Sequence, residues 1–406
     1  MENKKPLLWG IIFAIIISVS TLILVDEKNN SRKMTFWETQ PQRGANCMNK
    51  ILDREWFQAA ANVNIKWVRL TYDKWATKHR DFLIGNASDY QGLVPDDLSR
   101  LKEVLSWANE QGLKIVLAPL SLPGCRWHQN NDGRYDARLW ESYHYQEMAI
   151  RFWKDLAREL KDYDGIVAYD ILNEPCPEKD TELKEQTEIG DVERFATWYS
   201  RYKNTPRDLY DFHTRMIREI RKIDRVTPIM VESGFYGSAD SYCGWPDKLE
   251  DPYVLYSVHM YTPYTFTSND NSRRGSPYAY PGNIEFGDKT IWWDRDTLIR
   301  YGKPFERWMK NHGVPQERIV VSEFGCMRRN PGAIKYMEDL VSIWEERHYH
   351  WAFYAFREDW DGYDYELGTE SLPETYWQIL EQNGDAILPR KDNPLFDVIK
   401  NRLQQH

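Results

Sequence analysis

The stretch GIVAYDILNEP, Gly165 to Pro175, decides the fold. Its first eight residues are mostly apolar and show little in–out alternation, the pattern of a parallel strand covered on both faces. It closes on Asn173, Glu174 and Pro175, so a carboxylate stands where an apolar strand ends. Before it, Ile150, Trp153, Leu156, Ala157 and Leu160 fall on one face of a helix. After it, a long connection leads to a second helical stripe of Met216, Ile217, Ile220 and Ile223, then to a further strand candidate, Thr227–Ser233. The same order recurs outward in both directions. Strand candidates are Arg43–Asn46 (the weakest), Ile65–Leu70, Leu113–Leu120, Val254–Tyr261, Arg318–Phe324 and Tyr349–Phe356. Leu98, Leu101, Val104, Leu105 and Ala108 make another helix face, with Gly112 placed to end it. Eight strands alternating with helices predict a single α/β (β/α)8 TIM barrel. The rival is a doubly wound open sheet, but no Gly-rich phosphate loop follows the first strand.

The 406 residues suit one large barrel, and no repeat, low-complexity tract or linker divides residues 34–406. A formal charge of -9 argues against nucleic acid as a partner. The 18 Trp, 25 Tyr and 15 Phe exceed ordinary core needs and suggest flat neutral ligands, sugars above all. Residues 1–33 read as a separate segment. Lys4 and Lys5 precede an apolar run from Leu7 to Val25, and a polar tether from Asp26 to Lys33 follows. The run is just long enough to span a bilayer. An uncleaved signal anchor is the first reading; a signal peptide cleaved near Ser18-Val19-Ser20 is the second. Both place the barrel outside the cytoplasm, membrane-anchored or secreted. Five cysteines leave at least one thiol unpaired; Cys125 with Cys176 is the candidate disulfide. No Cys or His pair has zinc-site spacing.

Glu174 ends the fourth strand and Glu323 the seventh. Either alone reads equally as a structural ion pair or a solvent-facing strand end, since an unpaired buried carboxylate is costly. Together they change the reading. In a closed barrel strands four and seven lie on opposite walls, so both carboxylates can point into one mouth. Two carboxyls flanking a sugar bond are the apparatus of glycoside hydrolysis. Two long connections, Cys176 to about Leu209 and Thr262 to about Thr297, would rise over the same face and shape a cleft.

Five motifs in order now resemble glycoside hydrolase family 5, the cellulase family. They are Arg43-Gly44-Ala45-Asn46, Val68-Arg69-Leu70, Tyr169 to Pro175, His259-Met260-Tyr261 and Ser322-Glu323-Phe324-Gly325. The resemblance covers residues 40–400 and implies a retaining barrel enzyme with Glu174 as acid/base and Glu323 as nucleophile. It implies that Asn173 binds a sugar 2-hydroxyl and that Arg69, His259 and Tyr261 surround Glu323. It implies no cofactor and no metal. Two departures stand out. Leu120 occupies the place of the family's histidine after strand three, with His128 or Arg126 as candidate substitutes. On strand eight, Tyr354 stands nearest the family's tryptophan, with Trp351 before it and Trp360 beyond. Trp127, Trp245, Trp292, Trp293 and Trp360 are expected in loops above the barrel; Trp127, Tyr354 and Trp360 are the expected sugar contacts. The adjacent Trp292 and Trp293 would face opposite ways if they lie in a strand. The expected function is hydrolysis of a β-linked polysaccharide or oligosaccharide, a β-glucan first. Transglycosylation and a catalytically silent, membrane-tethered carbohydrate-binding barrel are the alternatives.

Overall fold

Gly44 explains how the barrel closes. It lies in β1 (Arg43–Cys47), opposite Trp67 of β2 (Trp67–Leu70) and Ala352 of β8 (His350–Phe353). A Cβ at Gly44 would sit 2.6 Å from the Trp67 ring and carbonyl, so only glycine lets these strands approach. Between them run β3 (Lys114–Leu117), β4 (Ile166–Asp170), β5 (Ile229–Glu232), β6 (Val254–Met260) and β7 (Ile319–Phe324). The pairing order β1-β8-β7-β6-β5-β4-β3-β2 is closed and every barrel pair is parallel. This is the expected TIM barrel. The computed structural model describes residues 33–405, apart from Lys78, Glu374, Asp385 and Ile387. The predicted anchor or signal segment lies outside the described residues. Among the described residues no helix is long and apolar enough to cross a membrane.

The barrel interior is apolar at one end and polar at the other. Met34 and Trp37, in a helical stretch over 33–38, pack with Trp67, Val116, Val167, Met230, Leu255 and Val320 as a plug. Trp37 Nε1 donates to the Val167 carbonyl at 2.9 Å, which satisfies its polar atom inside that plug. A larger apolar core fills the space between strands and outer helices, such as Tyr143–Leu160 and Leu209–Ile220. Their buried faces carry the predicted stripes, including Trp153, Leu156 and Leu160, and Met216, Ile217 and Ile220.

Several expectations need correction. The fourth strand ends at Asp170, so Glu174 stands past it in a turn, with φ of 50°. The two long connections are partly regular. The first contains a helix, Glu193–Tyr202; the second contains an antiparallel hairpin, Gly282–Phe286 with Lys289–Trp293. Within that hairpin Trp293 is buried against Phe286 and Tyr301, whereas Trp292 points outward. Trp245 is buried among His213, Tyr242 and Trp308 rather than standing over the barrel mouth. The expected disulfide is absent: Cys125 and Cys176 are both free. Cys176 is packed into a separate apolar cluster with Phe195 and Phe235, and burial pushes its thiol well above the ordinary value.

Candidate active site

Arg69 organises the mouth of the barrel. It projects from β2 with no solvent exposure, and such a buried guanidinium needs several acceptors. Its Nε donates to Asp170 Oδ2 at 2.9 Å. Its Nη1 donates to Glu323 Oε1 at 2.5 Å and more weakly to Asn46 Oδ1 at 3.4 Å. Its Nη2 donates to Asn173 Oδ1 at 2.9 Å and to Glu232 Oε1 at 2.8 Å. One side chain thus ties β1, β4, β5 and β7 together. Glu323 also accepts a bond from the Tyr261 hydroxyl at 2.8 Å. Two donors thus converge on its carboxylate oxygens.

His259 is placed differently from the expectation. Its Nδ1 contacts Glu174 Oε1 at 3.0 Å and stands 3.8 Å from Glu323 Oε2. Its Nε2 stands 3.1 Å from Glu232 Oε1. The ring therefore links Glu174 to Glu232, and Glu323 is its more distant neighbour. Burial opposes the imidazolium, but Glu232 and Glu323 outweigh it and hold His259 well above its ordinary value.

Glu174 is pushed above the ordinary carboxylate range, first by burial and then by Glu323 and Glu232, against the pull of His259. Its side chain keeps 33% exposure toward the cleft, so it remains accessible. Its left-handed backbone is held by its own N–H, which donates to Glu232 Oε2 at 2.7 Å. One oxygen of Glu174, one of Glu323 and a ring nitrogen of His259 lie within 4.8 Å of one another. Three such donors could in principle hold a cation. In this structure Nδ1 is engaged with Glu174 at 3.0 Å and Nε2 faces Glu232 at 3.1 Å, so the ring is used to join the two carboxylates.

These groups open into a cleft of about 670 Å³. Asn173, Glu174, Tyr261 and Glu323 line it, as do the expected sugar contacts Trp127, Tyr354 and Trp360. Leu120 lines it too, with its N–H bound to the buried Asp73 at 2.8 Å. Of the two candidate substitutes for the missing histidine, His128 lines the cleft. Arg126 does not; its Nε is paired with Asp81 at 2.9 Å. Trp245, Trp292 and Trp293 are not among the lining residues. The site also contains groups passed over in the sequence. Glu232 carried the same signal as the other two, a carboxylate closing an apolar strand (Ile229-Met230-Val231-Glu232). Lys74, Glu358, Asp359 and Trp377 carried none, because they meet the cleft only through tertiary contacts.

The family model described as Cellulase (glycosyl hydrolase family 5) matches residues 25–359. Among curated proteins, "Probable glucan 1,3-beta-glucosidase A" of Aspergillus fumigatus is 24% identical over 63% of this chain and 56% of its own length. "Endoglucanase C" of Acetivibrio thermocellus is 23% identical over 56% of each. The chain spans about half the length of these curated relatives. Among solved structures, an endoglucanase of Thermotoga maritima superposes with a TM-score of 0.56 at 18% identity, covering 82% of this chain and 93% of that one. At that identity the likeness speaks for the fold. With a matching model across most of the barrel and the motif residues gathered in one mouth, the chain belongs to glycosyl hydrolase family 5, the cellulase family.

Proposed function

We propose that this protein is a retaining β-glycosidase that cleaves O-glycosidic bonds in a β-linked polysaccharide or oligosaccharide, a β-glucan, with its barrel held outside the cytoplasm by the N-terminal segment. The observation that carries the reading is the unequal environment of two carboxylates whose oxygens approach within 4.8 Å. Such proximity supports a close pair of the retaining kind, whose carboxyl groups stand about 5–5.5 Å apart. Glu323, held by Arg69 and Tyr261, attacks the anomeric carbon as a carboxylate. Glu174, raised by burial, gives its proton to the leaving oxygen. The bond to the leaving sugar breaks as the glycosyl ester to Glu323 forms. Glu174, now ionised, takes a proton from water, whose oxygen attacks the same carbon and releases Glu323. Asn173 Oδ1 is occupied by Arg69, so its amide N–H2 serves the sugar 2-hydroxyl.

Azide rescue tests both roles. Glu323→Ala with azide should yield a glycosyl azide of inverted configuration. Glu174→Ala, given an activated aryl glycoside and azide, should yield one of retained configuration. Opposite stereochemistries would exchange the two roles, and near-normal activity of either variant on poor leaving groups would sink the two-carboxylate mechanism. A panel of β-glucans and mannans defines the sugar. Alkaline carbonate extraction of membranes tests the anchor; a shortened, soluble product would favour the cleaved signal peptide.

A further inference from the structure

The helix Tyr376–Asn383 reaches one end of the cleft, beyond the last barrel strand. Tyr376 and Leu380, one turn apart, are buried with Leu367 in a small apolar cluster, and the Tyr376 hydroxyl accepts the Leu388 N–H at 3.1 Å. Fixing that face turns the next one, Trp377 and Glu381, to the cleft, because residues four apart share a helix face. Gly384, at φ 74°, ends the helix, and Lys50 Nζ lies 3.8 Å from Glu381 Oε2, tying the helix to the loop after β1. Trp377 keeps 39% exposure in the cleft.

An aromatic wall joins this helix to the nucleophile. Tyr261, bound to Glu323, meets Tyr363 at 6.4 Å between ring centroids. Tyr363 meets both Tyr354 and Trp360 at 5.1 Å, and the helix packs on the turn Asp361–Tyr363. The wall runs from Tyr261, after β6, to Tyr354, Trp360 and Tyr363, after β8, and β8 stands across the barrel from β4, which leads to Glu174. A sugar attacked by Glu323 has its leaving group beside Glu174, so its non-reducing neighbours extend along this wall.

We propose that Trp377 is the platform of a distal sugar subsite, at least one unit to the non-reducing side of the attacked sugar, for a neutral β-linked chain. The inference rests on the glycosidase reading above. The indole receives the C–H face of a pyranose, while Glu381, on the same helix face and also lining the cleft, offers acceptors to its hydroxyls. A chain filling this end binds over several units, so length is recognised far from the bond that breaks.

The experiment compares wild type, Trp377→Ala, Trp377→Phe and Trp292→Ala on aryl β-glycosides carrying one to four β-1,4-linked glucose units, and on the matching mannose series. In Trp377→Ala, the ratio of kcat/KM for the longest to the shortest substrate should fall about tenfold, the scale of one lost aromatic contact. Trp377→Phe should recover most of it. Trp292, 54% exposed and away from the cleft, serves as control, and its variant should keep the wild-type ratio. An unchanged ratio in Trp377→Ala would overturn the subsite while leaving the glycosidase reading intact. Calorimetric titration of Glu174→Gln with cellotetraose and mannotetraose, with and without Trp377→Ala, reads the subsite without turnover. If wild type cleaves neither series nor the wider β-glucan panel, the glycosidase reading fails, and weaker binding in the double variant still supports the subsite. Equal binding, or none in either, overturns it.

Discussion

Glu232 is the residue whose role depends most on its partners. Its carboxylate accepts from Arg69 and from the Glu174 backbone and faces His259, while having no solvent exposure of its own. Burial pushes it upward, but His259 and Arg69 outweigh burial and hold it below its ordinary value, so it remains charged. That charge sustains the imidazolium of His259, and the imidazolium in turn moderates the rise of Glu174. Glu232→Gln takes away one carboxylate that raises Glu174, but it also weakens the His259 imidazolium, whose downward pull on Glu174 is the larger, so Glu174 should climb further. The expected outcome is an upward shift of the alkaline limb of kcat/KM against pH. A fall in kcat of about tenfold should accompany it, part of the roughly 10²–10⁴-fold that general acid–base catalysis supplies. An unmoved limb would reduce Glu232 to a backbone brace. His259 shows the same lesson: its contact with Glu174 at 3.0 Å, and not with Glu323, depends on where β5 places Glu232.

At the scale of elements, β1 is the tightest fit. Gly44 packs against Trp67, and Trp67 belongs to the apolar plug that closes the barrel floor. Gly44→Ala must displace either that ring or the strand, and overpacking of this kind costs about 1–3 kcal/mol. Urea unfolding should show the loss. Gly275→Ala, where no atom lies within 4 Å of the added carbon, should leave the midpoint nearly unmoved. A Gly44→Ala protein as stable as wild type would mean that β1 can shift without disturbing closure. The strand was the weakest of the eight in sequence because Arg43-Gly44-Ala45-Asn46 is short and scarcely apolar. Its polar side chains serve partners elsewhere: Arg43 pairs with Glu345, and Asn46 Nδ2 donates to the Ser322 carbonyl at 2.8 Å.

Across the whole molecule, buried titrating groups set the pH dependence of stability. Burial pushes Asp73, Glu178 and Glu358 up to about 7, from ordinary values of 3.8 for Asp and 4.5 for Glu. Asp240 and Asp364 are displaced in the same sense by burial. A carboxyl raised on folding contributes most below its unfolded value and loses that contribution as pH rises through its folded value. His213 and His350, held down to about 4 by burial, act oppositely: their contribution is present above 6.5 and lost as pH falls toward 4. The raised carboxyls outnumber the two histidines, so the urea midpoint should be higher at pH 5 than at pH 8. Glu178→Gln, which keeps the shape and removes the proton, should narrow that gap. A midpoint that rises toward pH 8 would contradict the dominance of the buried carboxyls.

The sequence by itself determined the barrel, its strand order and the two carboxylates at its mouth. The physical reason is that these are local signals. Apolar runs without alternation, helical stripes and charged residues at strand ends are visible within a dozen residues. Trp127 was expected in a loop above the barrel, Tyr354 and Trp360 came from the family resemblance at strand eight, and all three line the cleft. Tertiary structure alone decided the rest. Trp245, Trp292 and Trp293 have the composition of sugar platforms, but packing against outer helices or within a hairpin removed them from the cleft. Cys125 and Cys176 remain free because each thiol has its own apolar surroundings. Trp377 reaches the cleft only because a cluster formed by Tyr376, Leu380 and Leu367 orients its helix. Such choices depend on contacts between residues far apart in the chain, and no local pattern encodes which of several equivalent side chains a folded neighbour will cover.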